Sequence, residues 1–182
     1  MSDKIKETIN NLSQKYEETS WKNILPPTFQ MEQFSKLLSK LLKDKQDGIN
    51  WVPSFKDLFA SYTNSNIKEI DVVVIAQTPE FIAPEKLLKQ GVLYLSVPMF
   101  EATSDPTRYI EESKDVMFSI VSKLAYQTTG CTYVFIGELP EKLGGCVDNK
   151  HHKKVFLPHD CPDEISFKEI VNNILVKPIV WD

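Results

Sequence analysis

The sequence predicts an α/β fold in which helices cover a central, mostly parallel sheet of four strands. Three observations carry this expectation. From Val72 to Ala76 the chain is an unbroken β-branched and apolar run that stops at polar Gln77, with Pro79 two residues on; such a run reads as a strand buried on both faces and ending in a loop. Further runs at 92–97, 131–136 and 154–157 read as three more strands. Between the second and third of these four, Ile110, Val116, Met117, Ile120, Val121 and Leu124 recur at helical spacing over 109–127, a face able to cover a sheet. Strands that alternate with helices imply parallel pairing through right-handed crossovers.

The chain ahead of the first strand reads as helical. Over 3–19, Ile5, Ile9, Leu12 and Tyr16 lie on one helical face. After Trp21, Pro26 and Pro27 predict an extended connection, and a second helix is expected over about 28–43 with Phe34, Leu37, Leu38, Leu41 and Leu42 inward and Gly48 at its exit. Ser54, with Asp57 three residues on, signals the N-cap of a short helix to about residue 62 that buries Phe55, Leu58 and Phe59. Beyond Pro79, Pro84 suits the first turn of a short helix ending at Gly91. Gly130 breaks the long helix, 139–143 predicts another short one, and 166–176 a last.

With 182 residues, 42% hydrophobic and 25% charged, the chain suits one domain over 1–182 with a sizeable core. The first residues lack the apolar run of an export signal, and no stretch reaches the roughly 20 apolar residues of a membrane helix. A cytoplasmic protein with no membrane partner is expected. Cys131, Cys146 and Cys161 are an odd number without C-x-x-C spacing, so free thiols are expected, and no metal or other cofactor. A net charge of −4 and a pI near 5.5 weigh against a tight grip on phosphates. The basic run from Lys150 through His151, His152 and Lys153 to Lys154 reads as a solvated loop.

Ordered segments across nearly the whole chain carry a more specific signal. Trp21-Lys22-Asn23-Ile24-Leu25 and Pro53-Ser54-Phe55 precede the first strand; Ala76-Gln77-Thr78-Pro79-Glu80 follows it. Lys89-Gln90-Gly91-Val92-Leu93-Tyr94-Leu95-Ser96, then Val134-Phe135-Ile136-Gly137, then Leu157-Pro158-His159-Asp160-Cys161-Pro162 complete the set, and the chain closes on Lys177-Pro178-Ile179-Val180-Trp181. Together they resemble the uracil-DNA glycosylase superfamily, whose counterparts include G-Q-D-P-Y, K-Q-G-V-L-L-L-N, H-P-S-P-L-S and a P-I-D-W ending. The resemblance implies a three-layer α/β/α sandwich.

It also implies which positions face a flipped base, and several have changed. The aspartate that positions water corresponds to Thr78, whose hydroxyl carries no charge; losing one such contribution typically costs about 100-fold or more. The tyrosine that excludes thymine corresponds to Glu80, a carboxylate that would repel a departing uracil anion. The asparagine that reads uracil's edge corresponds to Ser96, which cannot present an acceptor and an amide donor in one plane. The intercalating leucine falls at Asp163, followed by Glu164. Gln77, Pro79 and His159 remain. The resemblance therefore implies a degenerate site at Gln77, Thr78, Glu80, Ser96 and His159, no catalysis, and little or no DNA binding.

A binding surface is then expected at Gln77, Thr78, Pro79, Glu80, His159, Asp160, Pro162 and Asp163. Family members are targets of acidic, DNA-mimicking inhibitor proteins from phages and mobile elements, so a catalytically inactive homologue could serve as decoy or antidote for a uracil-DNA glycosylase inhibitor. Poxviral relatives belong to a polymerase processivity complex, which makes a replication scaffold a second expectation. The enzyme alternative is a glycosylase or hydrolase of altered chemistry that uses His159 with a relocated acid such as Glu80.

Overall fold

The computed structural model describes residues 3–77, 87–158, 168–169, 172–173 and 178–180. The first helix, α1 (Asp3–Tyr16), buries Ile5, Ile9 and Tyr16 as its periodicity predicts. Pro26 and Pro27 do not force an extended connection. They occupy the first turn of a five-residue helix, α2 (Leu25–Phe29), where no amide donor is needed and the fixed proline φ already suits the helix. The chain leaves that helix at Gln30, passes through extended Met31 and enters α3 (Glu32–Gln46), so the single helix expected over 28–43 is two. Residues Phe34, Leu37, Leu38 and Leu41 of α3 are buried and Leu42 is half-buried.

A two-residue strand, β1 (Trp51–Val52), pairs antiparallel with β4 (Glu101–Ala102). Neither is long enough to show a period of two, and the sequence carries no sign of them. The helix α4 (Phe55–Thr63) starts at its expected cap: the Ser54 hydroxyl accepts from the Asp57 amide at 3.2 Å and donates to the Asp57 carboxylate at 2.6 Å. Phe59 is buried, while Phe55 and Leu58 are half-buried.

The main sheet comprises β2 (Val72–Ala76), β3 (Val92–Ser96), β5 (Thr132–Ile136) and β6 (Lys153–Leu157) in the order β3-β2-β5-β6. All three pairings are parallel. The helix α5 (Ile110–Gln127) crosses over between β3 and β5, and α6 (Glu138–Leu143) follows β5. One face of the sheet, with Val73, Ile75, Leu93, Leu95, Tyr133 and Phe135, packs into the large core shared with α1 to α5. The other, with Val74, Ala76, Val92, Val134 and Ile136, packs against Leu87 and Ile179. Burial on both faces explains why β2, β3 and β5 read as continuous apolar runs rather than alternating ones, whereas the edge strand β6 is half-buried to exposed.

The basic run is not an open loop. Lys150 and His151 are exposed, but His152 is 6% exposed and Lys153 and Lys154 begin β6. His152 Nε2–H donates to the Ala125 carbonyl at 2.8 Å and its ring stands edge-on to Tyr133 at 5.1 Å. Lys154 Nζ donates to the Gly144 carbonyl at 3.0 Å. The thiols of Cys131 and Cys146 are free; Cys161 lies outside the described residues. So does most of the last expected helix, of which Lys168, Glu169, Asn172 and Asn173 are helical.

The chain is tightly packed where β3 begins. Gly91 has φ +74, and a methyl group there would stand 2.8 Å from the Glu69 carbonyl oxygen and 3.2 Å from the Asp71 carboxylate. The Gly91 carbonyl also accepts from the Asp71 and Val72 amides at 2.8 and 3.1 Å. Gly91→Ala is expected to cost about 2 kcal/mol through left-handed backbone strain and this backbone clash. A chemical denaturation midpoint equal to that of the wild type would contradict it.

Candidate functional site

Parallel pairing brings the carboxyl ends of the four strands to one edge. In register, Ala76 stands opposite both Ser96 and Ile136, and Ile136 opposite Leu157. Gln77, Ser96, Gly137 and Pro158 therefore converge. The chain passes from β2 to β3 on one side and later returns to β5 on the other, so the topological switch lies between β2 and β5, where open α/β sheets bind ligands.

The backbone at this edge is held in place. The Val97 amide donates to the Ala76 carbonyl at 2.9 Å, extending the β2–β3 ladder by one residue, and the Gly137 amide donates to the Leu157 carbonyl at 3.0 Å. Gly137 has φ 97, a left-handed conformation that suits glycine, and turns the chain into α6. Its carbonyl accepts from the Glu141 amide at 3.0 Å.

Of the site residues predicted from sequence, the structure places two. Gln77 is half-buried directly after β2. Ser96 ends β3, 8% exposed, with its side chain on the face it shares with Ala76 and Ile136. Thr78, Pro79, Glu80, His159, Asp160, Pro162 and Asp163 lie outside the described residues, as does Glu164.

The chain beyond Ser96 is apolar. Val97, Met99 and Phe100 are buried, and the Phe100 ring packs at 5.0 Å on Phe55, which stacks in turn on Phe59. The Ser96 hydroxyl, on the opposite face of the sheet from this cluster, can exchange single hydrogen bonds but cannot supply a coplanar donor and acceptor pair. Two residues before Ser96, on the same face, burial and then the Glu101 carboxylate push the Tyr94 phenol upward, so it stays protonated. Tyr94 and the buried residues Val97, Met99 and Phe100 carry no polar motif in the sequence. Their only signal there is the persistence of apolar residues past the strand.

The fold defines an α/β protein whose parallel strands bring their carboxyl ends to one edge. No family model matches the chain, and no curated protein matches it in sequence. Solved structures do match. The mimivirus uracil-DNA glycosylase is 15% identical with a TM-score of 0.71, over 90% of this chain and 86% of that one. A tyrosine-to-phenylalanine variant of mimivirus UNG in complex with UGI gives 0.72 at 15% identity, over 90% and 88%. The wild-type UNG of Nitratifractor salsuginis gives 0.58 at 12% identity, over 87% and 90%. The chain has the uracil-DNA glycosylase fold.

Among the described residues no group of three or more His, Cys, Asp and Glu could hold a metal ion, and no helix is long and apolar enough to cross a membrane.

Proposed function

We propose that this chain is a cytoplasmic, single-domain uracil-DNA glycosylase homologue that has lost base excision and acts as a protein-binding module for a DNA-mimicking glycosylase inhibitor. The observation that carries this reading is the conjunction of a fold matched over 90% of the chain with a buried serine, Ser96, where the resemblance puts the base-reading asparagine. Thr78 in place of the water-positioning carboxylate and Glu80 in place of the aromatic side chain support the loss of chemistry. Asp163 and Glu164, where the resemblance puts the family's intercalating leucine, and a net charge of −4 support weak DNA binding. The inhibitor is favoured as partner because a structural neighbour is a UNG in complex with UGI.

The test pairs two measurements on the purified protein. Uracil release from single-stranded uracil-containing DNA is expected to fall at least about 100-fold below that of an active glycosylase, the size of effect associated with losing one such catalytic group. Direct titration with UGI is expected to give saturable binding, and addition of this protein to an inhibited glycosylase to restore its activity. Uracil release that His159→Ala abolishes would establish an enzyme instead. Absence of any UGI binding would remove the decoy role.

A further inference from the structure

The amino-terminal edge of the sheet, opposite the candidate site, carries a concavity of about 580 Å³ between the end of α5 and the loop that leads into β6. Tyr126 and Thr129 line one side, and Cys146, Asp148 and His151 the other. The two sides are tied together where the Gly130 amide donates to the His151 carbonyl at 2.8 Å.

The polar lining combines one carboxylate, Asp148, with the hydroxyls of Ser122, Tyr126, Thr128 and Thr129, the Cys146 thiol and the His151 ring. Asp148 Oδ2 meets His151 Nδ1 at 3.0 Å, so Nδ1 carries a hydrogen and donates it to the carboxylate. The Lys150 amide, and after it the His151 ring, hold the Asp148 carboxyl below the usual carboxylate range. The Cys146 thiol donates to the Leu143 carbonyl at 2.8 Å and burial pushes it up to about 11, so it stays neutral.

The end of α5 adds negative potential. This 18-residue helix has no basic residue in its last turn, whereas α1 and α3 end with Lys15 and with Lys43 and Lys45. Tyr126, 91% exposed, offers a free aromatic face at the rim; neither lysine nor arginine lines the concavity, although the Lys150 and Lys154 charges act on Asp148 and Cys146 from outside it.

We propose that this concavity binds an organic cation, an ammonium or guanidinium group, between the Asp148 carboxylate, the carboxyl end of α5 and the Tyr126 ring. A carboxylate and a helix carboxyl end attract positive charge, and an aromatic face within about 6 Å of a cation adds to the attraction. The cation is supplied by a free amine or by an arginine or lysine side chain of a partner protein. This site is independent of the carboxyl-edge surface and of the function proposed for it.

The test is a titration of the full chain at pH 8, followed by amide NMR, with agmatine in one arm and a blocked Gly-Arg-Gly peptide in the other. Saturable shifts confined to 122–129 and 146–152 are expected in at least one arm; the tighter arm identifies the source of the cation. Asp148→Asn, which retains the oxygen that accepts the Lys150 amide at 2.9 Å, and Tyr126→Ala are each expected to weaken binding severalfold while leaving the remaining spectrum unchanged. Shifts in neither arm would overturn the proposal. So would wild-type affinity in both variants, or inorganic phosphate occupying the same residues.

Discussion

Trp21→Ala is expected to lower folding stability by about 4 kcal/mol, the range typical for deleting a fully buried large aromatic. The indole is 0% exposed, and its edge-on contact with Tyr62 has ring centroids 5.0 Å apart. Its Nε1–H donates to the Ser65 carbonyl and hydroxyl at 3.2 and 3.1 Å. The Trp21 carbonyl accepts from the Ile24 and Leu25 amides at 2.9 and 3.0 Å as α2 begins. One side chain thus fastens the α1–α2 connection to the segment between α4 and β2. For a chain of this size the melting temperature should fall by roughly 8 to 16 °C. Trp21→Phe, which retains much of the volume and loses the indole donor, should cost about 1 to 2 kcal/mol. Equal losses in the two variants would show that packing contributes little at this position.

Asp44→Ala is expected to cost about 3 kcal/mol, because it leaves donors facing a buried place from which the charge has gone. Asp44 is 1% exposed, yet its carboxylate takes both arms of Arg108 at 2.6 Å each and the Tyr109 hydroxyl at 2.7 Å. Lys40 extends the network, donating to the Arg108 carbonyl at 2.6 Å and to Glu112 at 2.8 Å. Together these bonds join α3 to the start of α5. The Arg108 guanidinium, opposed by burial and assisted by Tyr109, lowers the Asp44 pKa to about 2.

The pH dependence follows from that direction. A carboxyl whose folded pKa lies below its unfolded one contributes stability that is complete above about pH 4 and lost as pH falls through about 2. The contribution is on the order of 2 kcal/mol. Acid unfolding of the wild type should include this loss, and Asp44→Ala, already destabilised at pH 7, should lack it. A variant whose stability falls by the same amount between pH 4 and 2 as the wild type would assign the acid sensitivity to other carboxylates.

The parts of this molecule that follow from local chemistry were legible in the sequence. The Ser54 cap, the apolar stripe of α1, and the four sheet strands lie where composition and spacing put them, within about one residue at each end. What escaped depended on partners distant in the chain. Pro26 and Pro27 can either extend the chain or open a helix by local rules, and what selects the helix is Phe29 packing among Tyr16, Phe34 and Phe59. The β1–β4 pair joins two dipeptides about fifty residues apart and has no period to detect. His152 reads as one member of a basic run, whereas the Ala125 carbonyl and the Tyr133 ring bury it. At the candidate site, sequence supplied Gln77 and Ser96 through resemblance to a family, and the structure added the burial of Ser96 and of the apolar residues that follow it.

The position of β2 in the sheet bears on how the chain reaches this fold. Val72 to Ala76 is central, pairing with β3 about twenty residues on and with β5 some sixty residues on, so it waits for its second neighbour until the whole α5 crossover has been made. Until then an uncharged, β-branched pentapeptide has an open side, and nonlocal parallel pairing is slow to close it. The same five residues that anchor the finished sheet are therefore the segment best suited to pairing with another unfinished copy. Exposed Asp71, directly before the run, sets a charge at the mouth of that competing reaction, the position where gatekeeper residues oppose self-association.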